Sequence, residues 1–355
     1  MMQIKDIYKP EFETVLVMQG GGSLGAYECG VYKALEKRGI KFDVVSGTSI
    51  GAVNAGIIAG SKSGDPAKDL EDFWLHISES VTPPFSDVFR SMTAAAFSAL
   101  YGNPNMFQPL WSPLVPPTSM PYLYDLAPLK KTLSDYIDFS RLAPGHNPRL
   151  IVTSTDIKTS ESVVFDSHKV QVTADHLAAC AGFPFYAIAW TKVDGRYLWD
   201  GSLMSNTPLR EVIHASPRCD KRVYLVNLFP SHQDSLPENL LDSLHRARDI
   251  MYTDKTHHNI RMSKTIKRYL TLLKEMHDML SNIELDDKMK ERFLRLEQEY
   301  HKVATIRGAI IDQVVKIERR EDVHFIFEDA DFSTPTVSKL IRQGEEDAEK
   351  VLSAL

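Results

Sequence analysis

Ser49 stands in the run Gly47-Thr48-Ser49-Ile50-Gly51, which follows the apolar stretch 42–45 (FDVV) and precedes a small-residue stretch, 52–60 (VNAGIIAG after Ala52). A serine in a G-x-S-x-G turn between a strand and a helix has its hydroxyl pushed clear of the backbone, where it can act as a nucleophile. Glycines must flank it, because side chains there would collide with the neighbouring strand and helix. The helix start behind Ser49 favours negative charge near its oxygen. The same residues also fit a plain serine cap in a glycine-rich turn.

A second cluster, Gly20-Gly21-Gly22-Ser23-Leu24-Gly25, lies upstream between 14–18 (TVLVM) and the helix-patterned stretch 26–37. Glycines let backbone N–H groups converge, and such a nest can hold a phosphate or a developing oxyanion. The spacing also fits a dinucleotide site, which asks for an acidic residue at the end of the second strand. Asp43 precedes Val44 and Val45, at that strand's beginning, and Ser46 follows it. One helix and one strand separate the glycines from Ser49. In a right-handed β–α–β unit the two strand ends emerge side by side, so nest and hydroxyl would face one another.

A serine hydroxyl needs a group to take its proton. None of the twelve histidines stands in a persuasive place. His324 lies inside 323–327 (VHFIF), His257 and His258 fall in a charged helical stretch, and His168 and His176 flank short turns. Asp200-Gly201 instead follows the aromatic run 196–199 (RYLW), at a strand-to-loop exit. An Asp-Gly turn without chemistry is its plain reading. A carboxylate is ordinarily too weak a base, but burial beside Trp199 and Tyr197 would raise its pKa. A Ser–Asp pair then works only where water is scarce. A Ser–His–Asp triad of the α/β-hydrolase esterase kind is the alternative.

The elements that must position these residues alternate strand, turn and helix, which predicts a mainly parallel sheet with crossover helices. Residues 83–128 are rich in proline and aromatic residues and read as a long irregular insertion, a pocket wall or lid. Strands are expected again at 149–157, 162–166, 193–201 and 223–229. Residues 238–318 are charged and helical in pattern, 323–327 reads as one more strand, and Pro335 after Ser333 opens a final helix. A strand and helix so late imply that the chain returns to the same sheet. Within the helical stretch, Ile260, Ile266, Leu270, Leu273, Met276 and Leu280 share helical spacing, with Arg261, Lys264, Lys267 and Arg268 clustered early. That is a stripe packed on the core, or else a surface-seeking or acyl-channel helix.

Apolar and charged contents of 43% and 25% suit a folded water-soluble chain, and a formal charge of −6 offers no bulk field for nucleic acid. Cys29, Cys180 and Cys219 show no C-x-x-C spacing, which argues against a disulfide framework or a cysteine zinc site and suits a reducing compartment. No secretory signal pattern and no run of about eighteen apolar residues occur. The expected location is cytoplasmic, with visits to a membrane surface if the substrate is lipid. Oligomeric state is open.

These pieces in this order, QGGGSLG, GTSIG and the late Asp-Gly, resemble the patatin-like phospholipase family. So do 154–162 (STDIKTSES) and 179–209 (ACAGFPFYAIAWTKVDGRYLWDGSLMSNTPL). The resemblance implies a three-layer α/β/α fold with a mainly parallel sheet, a catalytic domain over 14–230, and a C-terminal helical region over 231–355 that returns a strand and helix to the core. It implies Ser49 as nucleophile, Asp200 as proton acceptor, and the backbone of Gly20, Gly21 and Gly22 as oxyanion hole, with Gly25, Gly47, Gly51 and Gly201 as motif glycines. The implied activity is hydrolysis of a lipid or fatty-acyl ester through an acyl-enzyme, with no metal or cofactor. A non-catalytic lipid-binding protein of the same fold is a further reading. Two positions depart from the family pattern: Leu24 replaces a basic residue that many members carry, and Ser202 replaces the small residue after Asp-Gly.

Overall fold

The computed structural model describes residues 12–79, 93–94, 98, 101–110, 116–216, 219–281, 283, 286–306, 309–321 and 328–355. The glycine turn follows strand β1 (Phe12–Met18) and leads into helix α1 (Gly25–Lys37). Strand β2 (Val44–Thr48) then delivers Ser49 to helix α2 (Ile50–Gly60), which is followed by α3 (Pro66–Glu79). Expected at 42–45, this strand runs on through Ser46, Gly47 and Thr48, because these residues pair with β5 (Arg149–Asp156) up to Thr48 opposite Thr153. Asp43 sits just before it, its carboxylate accepting from Thr14 N, so no acid closes this strand as a dinucleotide site would require.

Strands β3 (Gln108–Pro109) and β4 (Tyr124–Asp125) form a small antiparallel pair of their own, and the main described sheet has eight strands. Its order is β10 (Ile311–Glu318), β9 (Asp220–Asn227), β1, β2, β5, β8 (Arg196–Asp200) and β7 (Thr191–Val193), with β6 (Ser162–Asp166) also paired to β5. From β10 to β5 every pairing is parallel, while β6, β7 and β8 pair antiparallel. The strand interiors read as continuous apolar runs, as parallel strands covered on both faces should. Leu16, Met18, Val45, Leu150, Val152 and Val226 face a core shared with α1, α2, α3 and the last helix. Val15, Val17, Val44, Ile151 and Val223 face a smaller core closed by Leu209 and Val212 of a helix at Leu209–Ala215 and by Ile260. The architecture is therefore three-layer α/β/α.

One expectation about the C-terminal half changes. Residues 311–318 were expected to be helical and instead form the edge strand β10, paired parallel to β9. Lys, Asp and Glu side chains are tolerated there because an edge strand leaves much of its surface in water. The strand expected at 323–327, with His324, lies outside the described residues. Helices at Leu240–Tyr252, His257–Ser281 and Asp287–Ile306 fill the helical stretch. In the second of these only the N-terminal part packs on the core: Ile260 does, whereas Leu273, Met276 and Leu280 are exposed. The closing helix (Thr334–Ser353) lies against α1 at backbone distance. A Cβ on Gly30 would sit 1.8 Å from Ile341 O, and one on Gly344 would sit 2.0 Å from Tyr27 O.

Candidate active site

Strand β5 brings the two halves of the site together. Along one of its edges β2 runs parallel and ends with Thr48 opposite Thr153; β8 runs antiparallel and ends with Asp200 opposite Ser154. The other edge is occupied by β6, which pairs with Ser154 as well. Thus β8 takes over the edge that β2 leaves, and the strands meet end to end. Ser49 follows one end and Asp200 forms the other. Hydrogen bonds fix the junction: the Thr48 and Thr153 hydroxyls lie 2.9 Å apart, and Thr155 donates to Asp200 O at 2.9 Å.

Ser49 has φ 56° and ψ −127° at the N-cap of α2. This conformation is costly for a residue with a side chain and recurs where a nucleophile is displayed. The turn is so tight that a Cβ on Gly47 would sit 2.1 Å from Gly51 O, and one on Gly51 2.5 Å from Gln19 O. Gly201 is equally crowded, its hypothetical Cβ 2.4 Å from Thr153 O. The Gly25 position is filled from the other side by Ile50 and Trp74. Ser49 is half-buried, while Asp200 is completely buried.

Burial is the main influence on Asp200 and lifts its pKa to about 6, against the lowering effect of the Ser49 hydroxyl and the Ser202 amide. Asp200 Oδ1 accepts from Ser202 N at 2.8 Å. Oδ2 has no hydrogen bond of regular geometry, although the Ser49 hydroxyl is close enough for the carboxylate to feel it. Catalytic hydrogen bonds in ligand-free sites are often long or misaligned and tighten around substrate. Expected burial by Trp199 and Tyr197 does not occur. These side chains alternate to the other face of β8, where they pack against Trp190. Asp200 is instead enclosed among β5 and the helix at Ala174–Ala181; Cys180, bonded by Ser154 Oγ at 3.4 Å, senses its charge.

The glycine turn faces Ser49. A Cβ on Gly20 would lie 2.7 Å from Ser49 Cβ. Asn206 holds this residue by both of its backbone groups: Gly20 N donates to Asn206 Oδ1 at 3.1 Å, and Asn206 Nδ2 donates to Gly20 O at 3.0 Å. The Gly20 N–H is therefore already committed. Among the described residues, Gly21 and Gly22 N–H donate to no protein acceptor. Gln19 ties the turn to both neighbours, donating to Thr207 Oγ1 and accepting from Leu228 N, each at 2.8 Å.

Gly20, Gly21, Gly22, Ser49 and Ser202 open into a cavity of about 780 Å³. One wall is apolar, with Val53, Met106, Phe107, Leu126, Leu129 and Phe332; Met106, Phe107 and Leu126 come from the proline-rich insertion. The remainder is aromatic and polar, with Phe183, Tyr186, Phe229, Tyr252, His245 and Asp329. Among the described residues no histidine is hydrogen-bonded to Ser49. His176 caps its own helix through Thr173, and His168 bonds His146 O. His257 and His258 are at the exposed start of their helix.

His245, which sequence reasoning did not single out, is buried beside the cavity. Its Nε2 lies 2.7 Å from Glu321 Oε1 and 2.9 Å from Arg248 Nη2. Burial disfavours its charge, but Glu321 and Glu328 outweigh this and raise its pKa to about 9. His245, Glu321 and Glu328 have the composition of a metal site. The Arg248 guanidinium, 2.8 Å from Glu328 Oε1, already supplies the positive charge there.

The family model described as patatin-like phospholipase matches residues 16–213, more than half of the chain, and a model described as patatin phospholipase matches 250–355. The chain belongs to the patatin-like phospholipase family. Within this family it is similar to the cGAMP-activated phospholipase of Escherichia coli (strain TW11681), 24% identical over 271 residues that cover 68% of each protein. It is also similar to human patatin-like phospholipase domain-containing protein 6, 37% identical over 79 residues, 22% of this chain but only 6% of that much longer protein. Among solved structures, VipD from Legionella pneumophila is similar, with a TM-score of 0.39 and 15% identity, covering 97% of this chain and 67% of VipD. Where many patatin-like phospholipases carry a basic residue, Leu24 is buried in the core. Ser202, the other departure, lends Asp200 its amide and lines the cavity. No helix among the described residues is long and apolar enough to cross a membrane.

Proposed function

We propose that the protein is a serine lipid acyl hydrolase in which Ser49 is the nucleophile and Asp200 alone takes its proton. The observation that supports this most is Asp200 itself, fully buried at the end of β8 with a pKa raised to about 6, its charge sensed by the Ser49 hydroxyl. A base with a pKa near neutrality combines a usable deprotonated fraction with real proton affinity.

In the first step Ser49 Oγ attacks the ester carbonyl carbon as its proton passes to Asp200. The N–H groups of Gly21 and Gly22 stabilise the resulting oxyanion, worth about 3 kcal/mol for a single well-placed donor. Gly20 contributes as the residue that Asn206 anchors. When the intermediate collapses, Asp200 returns the proton to the leaving alcohol or lysolipid oxygen. Water then attacks the acyl-enzyme as Asp200 takes its proton, and Asp200 returns that proton to Ser49 Oγ as the fatty acid departs. These steps draw on the chain's own residues, with no metal.

The apolar wall of the cavity suits an acyl chain and keeps bulk water from Asp200. Phospholipase, the name that a relative carries, points to a phospholipid as substrate. With Leu24 in the core, no basic residue of the glycine turn meets a head-group phosphate. Residues 14–230 carry the catalytic groups in this reading, and 231–355 add β10 and the closing helix to the same body. The three cysteines are free, which fits a cytoplasmic enzyme that visits membrane surfaces.

Labelling by a fluorophosphonate tests the assignment on the wild type, Ser49→Ala and Asp200→Asn. Labelling is expected in the wild type, abolished in the first variant and slowed at least a hundredfold in the second. Persistent labelling of Ser49→Ala would end the reading.

A further inference from the structure

We infer that Arg248 is a positioning residue for the oxyanion hole: from the helical region, it holds the turn at 328–330 against the glycine turn that stabilises the oxyanion. The inference rests on the Ser49–Asp200 hydrolase reading and extends its machinery into the C-terminal part of the chain.

The contact between the two turns is direct. Ser23 Oγ donates to Glu328 O at 2.8 Å. Gly22, with φ +55°, lies so close to the next carbonyl that a Cβ would sit 2.1 Å from Asp329 O. Two backbone carbonyls of the 328–330 turn thus set where the glycine turn can lie, and with it the N–H groups of Gly21 and Gly22. The side chains of Glu328 and Asp329 anchor this three-residue turn.

Arg248 grips both of those side chains. Its Nη2 donates to Glu328 Oε1 at 2.8 Å and its Nη1 to Asp329 Oδ1 at 3.5 Å. Asp249 Oδ1 accepts from Nη2 at 2.9 Å, and the guanidinium stacks over Phe229 with 5.3 Å to the ring centre. From the opposite side Tyr186 OH donates to Asp329 Oδ2 at 2.5 Å. Arg319 completes the frame, donating to Glu328 Oε1 at 2.9 Å and to Leu228 O at 2.8 Å. Leu228 also packs on Gly21, where a Cβ would meet its side chain at 2.8 Å. Buried charge pairs bonded at several points have a defined geometry, and removing one member leaves the others uncompensated. Such rigidity is what a preorganised oxyanion hole requires.

The functional meaning is that a group with no contact to the reacting atoms governs turnover through the glycine turn. The test measures kcat and KM on a soluble short-chain ester, together with fluorophosphonate labelling rate and Tm, for wild type, Arg248→Met, Arg248→Lys and Ser23→Ala. Arg246→Met is the control: Arg246 lies on the same helix but donates to Pro230 O and Ser231 O, outside the network. Arg248→Met is expected to lower kcat and labelling rate roughly tenfold or more, with KM within about threefold, since misplaced oxyanion donors act on the transition state alone. Arg248→Lys should recover part of the loss. Ser23→Ala, which cuts the link between the turns with little change in volume, should lower kcat in the same sense even if Arg248→Met fails to fold. A lower Tm with unchanged kcat per labelled site in both Arg248→Met and Ser23→Ala would overturn the inference. Absence of labelling in the wild type would instead strike at the hydrolase reading itself.

Discussion

Ser49 and Asp200 reach the same point from opposite directions along one edge of β5, the first after the strand paired to Thr153 and the second paired to Ser154. A single register step on one template strand thereby fixes the separation of the Ser49 hydroxyl and the Asp200 carboxylate. A register slip would reverse which face every side chain of β8 meets. The pair is therefore positioned by backbone pairing, not by flexible loops.

Asp200→Asn separates activity from stability. Losing the proton acceptor should lower kcat about 10²- to 10⁴-fold, the usual range for a general base. Because burial raises the pKa of Asp200 from the ordinary 3.8 to about 6, the carboxylate costs the fold stability at pH values above both. Replacement by a neutral amide should then stabilise the protein by about 1–3 kcal/mol at pH 7.5. Calorimetry showing a lower Tm for the variant would contradict this.

The same group shapes the pH–rate profile. The base acts when deprotonated, so kcat/KM on a soluble ester should rise with an apparent pKa of about 6 and level off above it. An acid limb near pH 4, the ordinary carboxylate value, would mean that burial does not raise the Asp200 pKa.

His245 couples stability to alkaline pH. Its pKa in the fold, about 9, exceeds the ordinary value of 6.5, so its ion pairs stabilise fully below about pH 6.5. That contribution should be lost as pH rises through 9. Thermal melts from pH 6 to 10 should therefore show a decline in Tm that His245→Gln flattens.

The mouth of the cavity predicts interfacial behaviour. Phe185 and Leu241 line it, yet are 73% and 59% exposed, and Leu240 and Leu244 are exposed beside Leu241. Phe185→Ser combined with Leu241→Ser should slow hydrolysis of lipid in vesicles severalfold while leaving a soluble short-chain ester unaffected. Equal losses on both substrates would assign these residues to the fold instead.

Acyl selectivity should reside in the apolar wall. Leu129 is fully buried and lines the cavity. Leu129→Trp shortens the space and should move preference to shorter acyl chains, at a stability cost of about 1–3 kcal/mol for overpacking. Rates across a series of acyl lengths give the measurement.

Sequence reading reached as far as local chemistry extends. Ser49 and the glycine turn are legible because a strand, a tight turn and a helix write their requirements into neighbouring residues. Asp200 is legible as a strand exit, and its burial as a reason for a raised pKa. Trp199 and Tyr197 adjoin Asp200 in sequence but not in space, because a pleated strand sends them to the opposite face. Nothing near Arg248, His245 or Asp329 signals a link to Gly22, since their partners lie far off in the chain and come together only in the fold. Asn206 was inside a recognisable segment, but its grip on Gly20 has no local mark. β10 escaped because charged residues on an edge strand resemble a solvated helix.

The backbone-close crossing of Gly30 and Gly344 has a consequence for how the protein is made. Helix α1 (Gly25–Lys37) continues directly from the glycine turn, yet it packs against a helix far later in the chain, Thr334–Ser353. Contacts that far apart form late. On the ribosome, a chain not yet extended through Ser353 would carry Ser49 without the helix that packs on α1.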